Sequence, residues 1–164
     1  VSKKILKTAL SATDYRLPFS SFSDSSGKKS IKGIIQGGNL AMCAWSLGSS
    51  FEVQLKKRIV FFEDIGTNDA TAYSRIVQLK ESGSLQPKAI IFGYLMKVKK
   101  MNAFIKAVQE LFPKVPIIYN LPIGHQLPNV TIPIGAETTI DFVRKEILFE
   151  FPKEAQEYKV IFNA

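Results

Sequence analysis

The middle of the chain alternates between short apolar runs and longer stretches in which apolar residues recur every three or four positions. The short runs predict strands, and the longer stretches predict helices. The predicted strands cover 31–36, 58–62, 89–92 and 115–119, and the predicted helices cover 39–47, 70–81 and 101–112. Because the run at 58–62 is apolar at successive positions, it fits a sheet that is covered on both faces.

After Asn129 the pattern changes to short apolar segments separated by turn residues, which is typical of hairpins. These segments predict strands at 131–134, 138–142 and 146–151. The order of elements therefore predicts an α/β domain. We expect a mostly parallel sheet flanked by helices, with short antiparallel strands near the C-terminus.

The first thirty residues have a different composition from the rest. Residues 2–12 have apolar positions at helical spacing, and residues 13–30 are rich in Ser, Asp, Gly and Lys, which is typical of a loop or linker. We therefore expect 1–29 to be a linker or remnant that leads from a missing N-terminal domain into a domain at 30–164. The start at Val1 rather than Met favours a processed product or an excised piece of a longer protein.

Composition narrows the function classes. The 164 residues are 46% hydrophobic, which is enough for one domain with a core. The net charge is +8, but the lysines are scattered and no aromatic residues interleave with them in a nucleic-acid-binding motif, so we expect no nucleic-acid partner. We see no run of about 20 apolar residues and no signal peptide, so we expect a cytoplasmic protein without a membrane partner.

One histidine and one cysteine cannot form an internal disulfide or a cluster of metal ligands. We therefore expect no metal site. Cys43 lies in an apolar segment, which predicts a buried and unreactive thiol.

The sequence Gly37-Gly38-Asn39 comes between a predicted strand and a predicted helix. Two glycines allow a tight turn with positive φ, and free N–H groups at a helix start can bind an anion. Gly38 and Asn39 are therefore candidate substrate-binding residues, although many such turns bind nothing. The helix that follows is apolar nearly all round, which predicts that it is buried.

Polar residues follow two of the predicted strands. Glu63 and Asp64 come after one strand, and His125, the only histidine, lies in the Pro/Gly-rich loop 119–129 after another. The carboxyl ends of parallel strands share one edge, so an acid and the histidine could meet there as a general base and its orienting group. The alternatives are a helix cap or turn for the acids and a backbone-bonded histidine in a turn. The sequence does not decide which acid would face His125, and it offers no obvious nucleophile.

Several segments come in one order that resembles a known family. They are 34–40 (IIQGGNL), 59–65 (IVFFEDI), 73–83 (YSRIVQLKESG), 90–93 (IIFG) and 121–135 (LPIGHQLPNVTIPIG). From about residue 30 to 141 the chain is similar to the C-terminal domain of the LD-carboxypeptidase family, which includes the microcin C self-immunity peptidases. One departure is that the family usually has a further acidic residue soon after the pair matched by Glu63-Asp64.

The resemblance implies a swivelling β/β/α domain and a serine peptidase with a Ser-Glu-His triad. Glu63 and His125 match the acid and the base, while the serine and the oxyanion hole belong to an N-terminal domain that this chain lacks. Members cut the L,D-bond of cytoplasmic muropeptides and release D-alanine, or cut a peptide–nucleotide antibiotic. They use no metal or cofactor, and homodimers are common.

Together these observations lead to one hypothesis. The chain is the acid/base half of a cytoplasmic serine carboxypeptidase that acts on murein tetrapeptides in cell-wall recycling, and it is inactive alone. The alternatives are an immunity peptidase that cuts a peptide–nucleotide and a non-catalytic module that binds a peptide or muropeptide.

Overall fold

The computed structural model describes residues 14–151, which form eight strands and three helices. The strands are β1 (Tyr15–Pro18), β2 (Ser21–Ser23), β3 (Ser30–Asn39), β4 (Ile59–Asn68), β5 (Ala89–Lys97), β6 (Ile117–Tyr119), β7 (Glu137–Asp141) and β8 (Glu146–Glu150). The helices are α1 (Leu40–Trp45), α2 (Asp69–Glu81) and α3 (Met101–Leu111). The helix predicted at 2–12 lies outside the described residues.

The strands are hydrogen-bonded in the order β1-β8-β7-β3-β4-β5-β6-β2. The four middle strands, β3 to β6, are parallel, and the strands on either side of them are antiparallel. The first half of β3 pairs with β7 and its second half pairs with β4. The fold is therefore the predicted α/β class, with a parallel centre flanked by helices and antiparallel strands near the C-terminus.

The sheet is covered on both faces, as the continuous apolar run in β4 predicts. Ile59 and Phe61 pack into a core shared with β1, β7 and β8, whereas Val60 and Phe62 pack into a second core with the three helices. Successive strand residues point to opposite faces, so one run of apolar residues serves both cores. The result is the three-layer β/β/α arrangement.

Two predictions about strands are wrong. The predicted loop 13–30 contains β1 and β2, which pair with β8 and β6 at the two edges of the sheet. The strand predicted at 131–134 is absent, and these described residues form a loop instead. Short edge strands depend on partners distant in sequence, so local composition identifies them poorly.

Helix α1 is shorter and less buried than its sequence predicts. It spans Leu40–Trp45, and it buries Leu40, Ala41, Cys43 and Ala44. Met42 and Trp45 are 59% and 69% exposed. The prediction of burial all round is therefore wrong, because α1 packs only one side against the sheet and α2. No helix within residues 14–151 has both the length and the apolar character to cross a membrane.

Candidate active site

Glu63, which lies within β4, and His125, which lies in the loop after β6, are in direct contact. The distance from His125 Nδ1 to Glu63 Oε2 is 2.7 Å. The Glu63 side chain is only 8% exposed, while that of His125 is 54% exposed. A carboxylate can only accept, so we assign the proton of the neutral ring to Nδ1. This leaves Nε2 as the nitrogen that can take a proton from a reacting group.

Of the two adjacent acids, Glu63 is the one that contacts the histidine. Asp64 is also buried, but its oxygens accept hydrogen bonds from the backbone N–H groups of Ala41 (3.1 Å), Gly66 (2.8 Å) and Thr67 (3.0 Å). Arg75 forms an ion pair with it at 3.2 Å. Neighbouring residues of a strand face opposite sides, which separates the two carboxylates.

The environment of Asp64 favours its charged form. Burial alone would raise the pKa of this carboxyl, but hydrogen bonds from Thr67, Gly66 and Ala41, together with the charge of Arg75, hold the pKa below its usual value. Because all of these partners are internal, Asp64 ties α1 and α2 to the end of β4.

The loop that carries His125 approaches β4 closely at Gly124. A Cβ at this position would lie 2.8 Å from Glu63 Oε2, and the φ of Gly124 is +120°, a value that side chains disfavour. The Gly124 N–H donates to Asn129 Oδ1 at 3.2 Å. Glycine therefore allows the backbone before His125 to lie against the Glu63 side chain.

The start of the same loop is held to β5. The backbone N–H of Tyr94 donates to the carbonyl of Ile123 at 2.8 Å. A Cβ on Gly93 would lie 2.4 Å from that carbonyl oxygen, so only glycine permits this approach. These contacts fix the loop residues that precede His125.

Gly37, Gly38 and Asn39 differ from their predicted arrangement. They belong to β3 and pair with Phe61, Phe62 and Glu63 of β4, so the predicted tight turn is wrong. A Cβ on Gly37 would lie 2.0 Å from the Phe61 carbonyl oxygen, which accounts for the glycine.

Two of the N–H groups at the start of α1, those of Ala41 and Met42, have side-chain partners within the protein. Asn39 caps the helix through its side-chain oxygen, which accepts from Met42 N at 3.2 Å, and Ala41 N donates to Asp64. The Asn39 amide also donates to Glu63 Oε1 at 3.3 Å. These contacts occupy two of the N–H groups that the predicted anion site would use. The involvement of Asn39 with Glu63, and of Asn129 with the loop, is not visible in the sequence, because each depends on a contact across the fold.

An open cleft of about 620 Å³ lies beside the Glu63–His125 pair. Gly38, Glu63 and His125 contribute to its lining, and much of the remaining wall is apolar. Its apolar side chains are those of Phe61, Ile123, Leu127, Val130, Ile132 and Ile134. Within the described part of the chain no serine lines this cleft. The arrangement can accept a proton at His125 and can hold an apolar group of a ligand.

Cys43 is buried, as predicted. Burial raises the pKa of its thiol to about 11, and the negative charge of Glu63 adds to the effect. A thiol with so high a pKa stays protonated near neutral pH and is a poor nucleophile.

Known proteins resemble this chain in sequence and in fold. Over 127 residues it is 28% identical to the "Probable murein peptide carboxypeptidase" of Bacillus subtilis, and the match covers 73% of this chain and 40% of that protein. The chain thus spans about two fifths of the length of this relative.

Two solved structures share the fold. The muramoyltetrapeptide carboxypeptidase from Oxalobacter formigenes superposes with a TM-score of 0.74 at 22% identity, over 92% of this chain and 55% of that one. The microcin C7 self-immunity protein MccF, in complex with aspartyl sulfamoyl adenosine, superposes with a TM-score of 0.68 at 24% identity, over 80% of this chain and 41% of that one.

A sequence model of one family matches most of the described sheet. The LD-carboxypeptidase C-terminal domain matches residues 32–140, a span that runs from β3 to β7 and includes both Glu63 and His125. The chain belongs to the family of LD-carboxypeptidase C-terminal domains.

Proposed function

We propose that this chain supplies the acid/base half of a serine-type LD-carboxypeptidase active site. His125 is the general base and Glu63 orients it. The nucleophilic serine and the oxyanion hole come from a part of the polypeptide outside this sequence. The single observation that carries the proposal is the 2.7 Å contact between His125 Nδ1 and the buried Glu63 carboxylate.

The proposed reaction uses His125 twice. Its Nε2 takes the proton of the serine hydroxyl as that oxygen attacks the scissile carbonyl, and the protonated ring then gives the proton to the leaving amine. Glu63 accepts the hydrogen bond from Nδ1–H throughout, which keeps the ring in the productive tautomer and stabilises the imidazolium. Water then hydrolyses the acyl-enzyme by the same route, so the chemistry needs no metal or cofactor.

We propose a murein tetrapeptide as substrate, cut at the L,D-bond with release of D-alanine. The similarity to the probable murein peptide carboxypeptidase of Bacillus subtilis and to the muramoyltetrapeptide carboxypeptidase from Oxalobacter formigenes supports this choice. The likeness to MccF, solved with an aspartyl sulfamoyl adenosine, supports a peptide–nucleotide as the second candidate. From the resemblance to the family we also propose that the protein is cytoplasmic and forms a homodimer.

The test measures D-alanine release from a murein tetrapeptide by the protein that carries this chain. We expect His125→Ala and Glu63→Gln each to lower kcat by about 10³-fold or more, because triad members act as a unit. Glu137→Gln makes the same chemical change at an exposed carboxylate on β7 and should keep full activity.

The other outcomes separate the alternatives. Cleavage of an aminoacyl sulfamoyl adenosine without release of D-alanine would replace the murein substrate by a peptide–nucleotide. Binding of the muropeptide without cleavage of either compound would indicate a binding module. Full activity of His125→Ala would refute the proposed role of the histidine.

A further inference from the structure

The Glu63 carboxylate is held on both oxygens. Oε2 accepts from His125, and Oε1 accepts from the side-chain amide of Asn39 at 3.3 Å. Asn39 and Glu63 are register partners in the parallel pairing of β3 and β4, so their side chains are neighbours across the two strands. The carboxylate is buried, and a buried charge needs such donors to remain stable.

The Asn39 amide is itself fixed in one orientation. Its oxygen caps α1 by accepting from Met42 N at 3.2 Å, which turns its NH₂ group toward Glu63. The flipped amide would place its oxygen against the carboxylate and its NH₂ against a backbone N–H, and both contacts would be repulsive. The helix cap therefore aims the donor at Glu63.

We infer that Asn39 is a positioning residue of the proposed reaction, because its capped amide holds the Glu63 carboxylate in the orientation that fixes the Nδ1–H tautomer of His125. This inference rests on the proposed function. It also changes the role expected for Asn39 from a ligand of the substrate to a support of the acid.

The variants keep the cap and remove only the contact with Glu63. In Asn39→Ser the hydroxyl can cap α1 but is too short to reach the carboxylate. Asn39→Asp also caps, but it replaces the donor by a negative oxygen facing Glu63. Asn68→Ser is the matched control, since Asn68 caps α2 through Thr71 N at 3.0 Å in the same way.

The first readout needs no substrate. His125 is the only histidine, so the imidazole ¹⁵N signals of the chain report its tautomer without ambiguity. At pH 9 the wild type and Asn68→Ser should show the Nδ1–H form. Asn39→Ser should shift toward the Nε2–H form that free histidine prefers. A wild-type tautomer in Asn39→Ser, with the fold intact, would overturn the inference.

The second readout is kinetic and uses the protein that carries this chain. We expect Asn39→Ser to lower kcat by about tenfold, the effect of one hydrogen bond to a charged group, with KM unchanged. Asn39→Asp should lower kcat further, and Asn68→Ser should leave it unchanged. A rise in KM with unchanged kcat would instead make Asn39 a substrate ligand. Absence of any peptidase activity in the wild type would refute the proposed function, whereas the tautomer measurement would still decide whether Asn39 positions Glu63.

Discussion

Gly124→Ala should lower both activity and stability, because the new methyl group meets the Glu63 carboxylate. The added Cβ would lie 2.8 Å from Glu63 Oε2, 3.0 Å from its Cβ and 3.2 Å from its Cγ. Ordinary carbon–carbon contacts lie at about 3.5–4.0 Å, so the Glu63 side chain must shift. Its carboxylate is the flexible end, and moving it breaks the 2.7 Å contact with His125.

The Gly124→Ala change has two separate costs, the backbone strain at a positive φ and the steric contact with Glu63. A positive φ costs alanine about 1–3 kcal/mol, and overpacking adds about 1–3 kcal/mol. The protein should remain folded, because a domain of this kind has about 5–15 kcal/mol of stability. A displacement near 1 Å in a catalytic group costs about 10²-fold in rate, so kcat for D-alanine release should fall by about that factor.

Gly135→Ala is the matched control for Gly124→Ala. Gly135 also has a positive φ, +84°, but an added Cβ would meet nothing within 4 Å. The backbone strain in Gly135→Ala should therefore lower the melting temperature by about 2–4 °C per kcal/mol, and the activity should be unchanged. Equal activity of the two variants would refute the claim that Gly124 leaves space for the Glu63 carboxylate.

Two further predictions concern buried groups outside the cleft. Asp64→Asn should lower the free energy of unfolding at pH 7 by about 1–3 kcal/mol, because the charged hydrogen bonds and the Arg75 ion pair weaken. The pKa of Asp64 in the folded protein is below the unfolded value of about 3.9. The carboxylate therefore stabilises the fold above about pH 3.9, and this stabilisation is lost as the pH falls through the folded pKa. If urea melts gave the same stability difference between the wild type and Asp64→Asn from pH 7 to pH 2, this explanation would be wrong. The Cys43 thiol, with its pKa raised to about 11 by burial, should react with a thiol reagent at pH 8 much more slowly in the folded than in the unfolded protein. Equal labelling rates would show that Cys43 is accessible.

The central sheet and the larger helices could be predicted because their signals are local. Strands β4, β5 and β6 each begin with a continuous apolar run, and α3 carries apolar residues at helical spacing over its whole length. Strands β1 and β2 could not be predicted in this way. They have four and three residues, and their stability comes from pairing with β8 and β6, more than 90 residues away in sequence.

The contact between Glu63 and His125 could be predicted from the strand topology, and not from the local sequence around either residue. Parallel strands bring their carboxyl ends to one edge, so two polar residues at strand ends become candidates for contact. The sequence could not show whether Glu63 or Asp64 faces His125, because the answer depends on the register of β4. The glycines of β3 were misinterpreted because positive φ is typical of turns, whereas Gly37 uses it to approach the backbone of Phe61 within a strand.

The adjacent carboxylates of Glu63 and Asp64 have different partners, and both are linked to the first turn of α1. Asp64 accepts from Ala41 N and so anchors the helix start, while Asn39 caps the same turn and reaches back to Glu63. The buried Asp64–Arg75 pair therefore supports the helix whose cap aims the donor at Glu63. Asp64→Asn should therefore loosen α1 and weaken the contact between Asn39 and Glu63, although Asp64 touches neither the cleft nor His125. The expected effect passes from Asp64 to Glu63 through the first turn of α1.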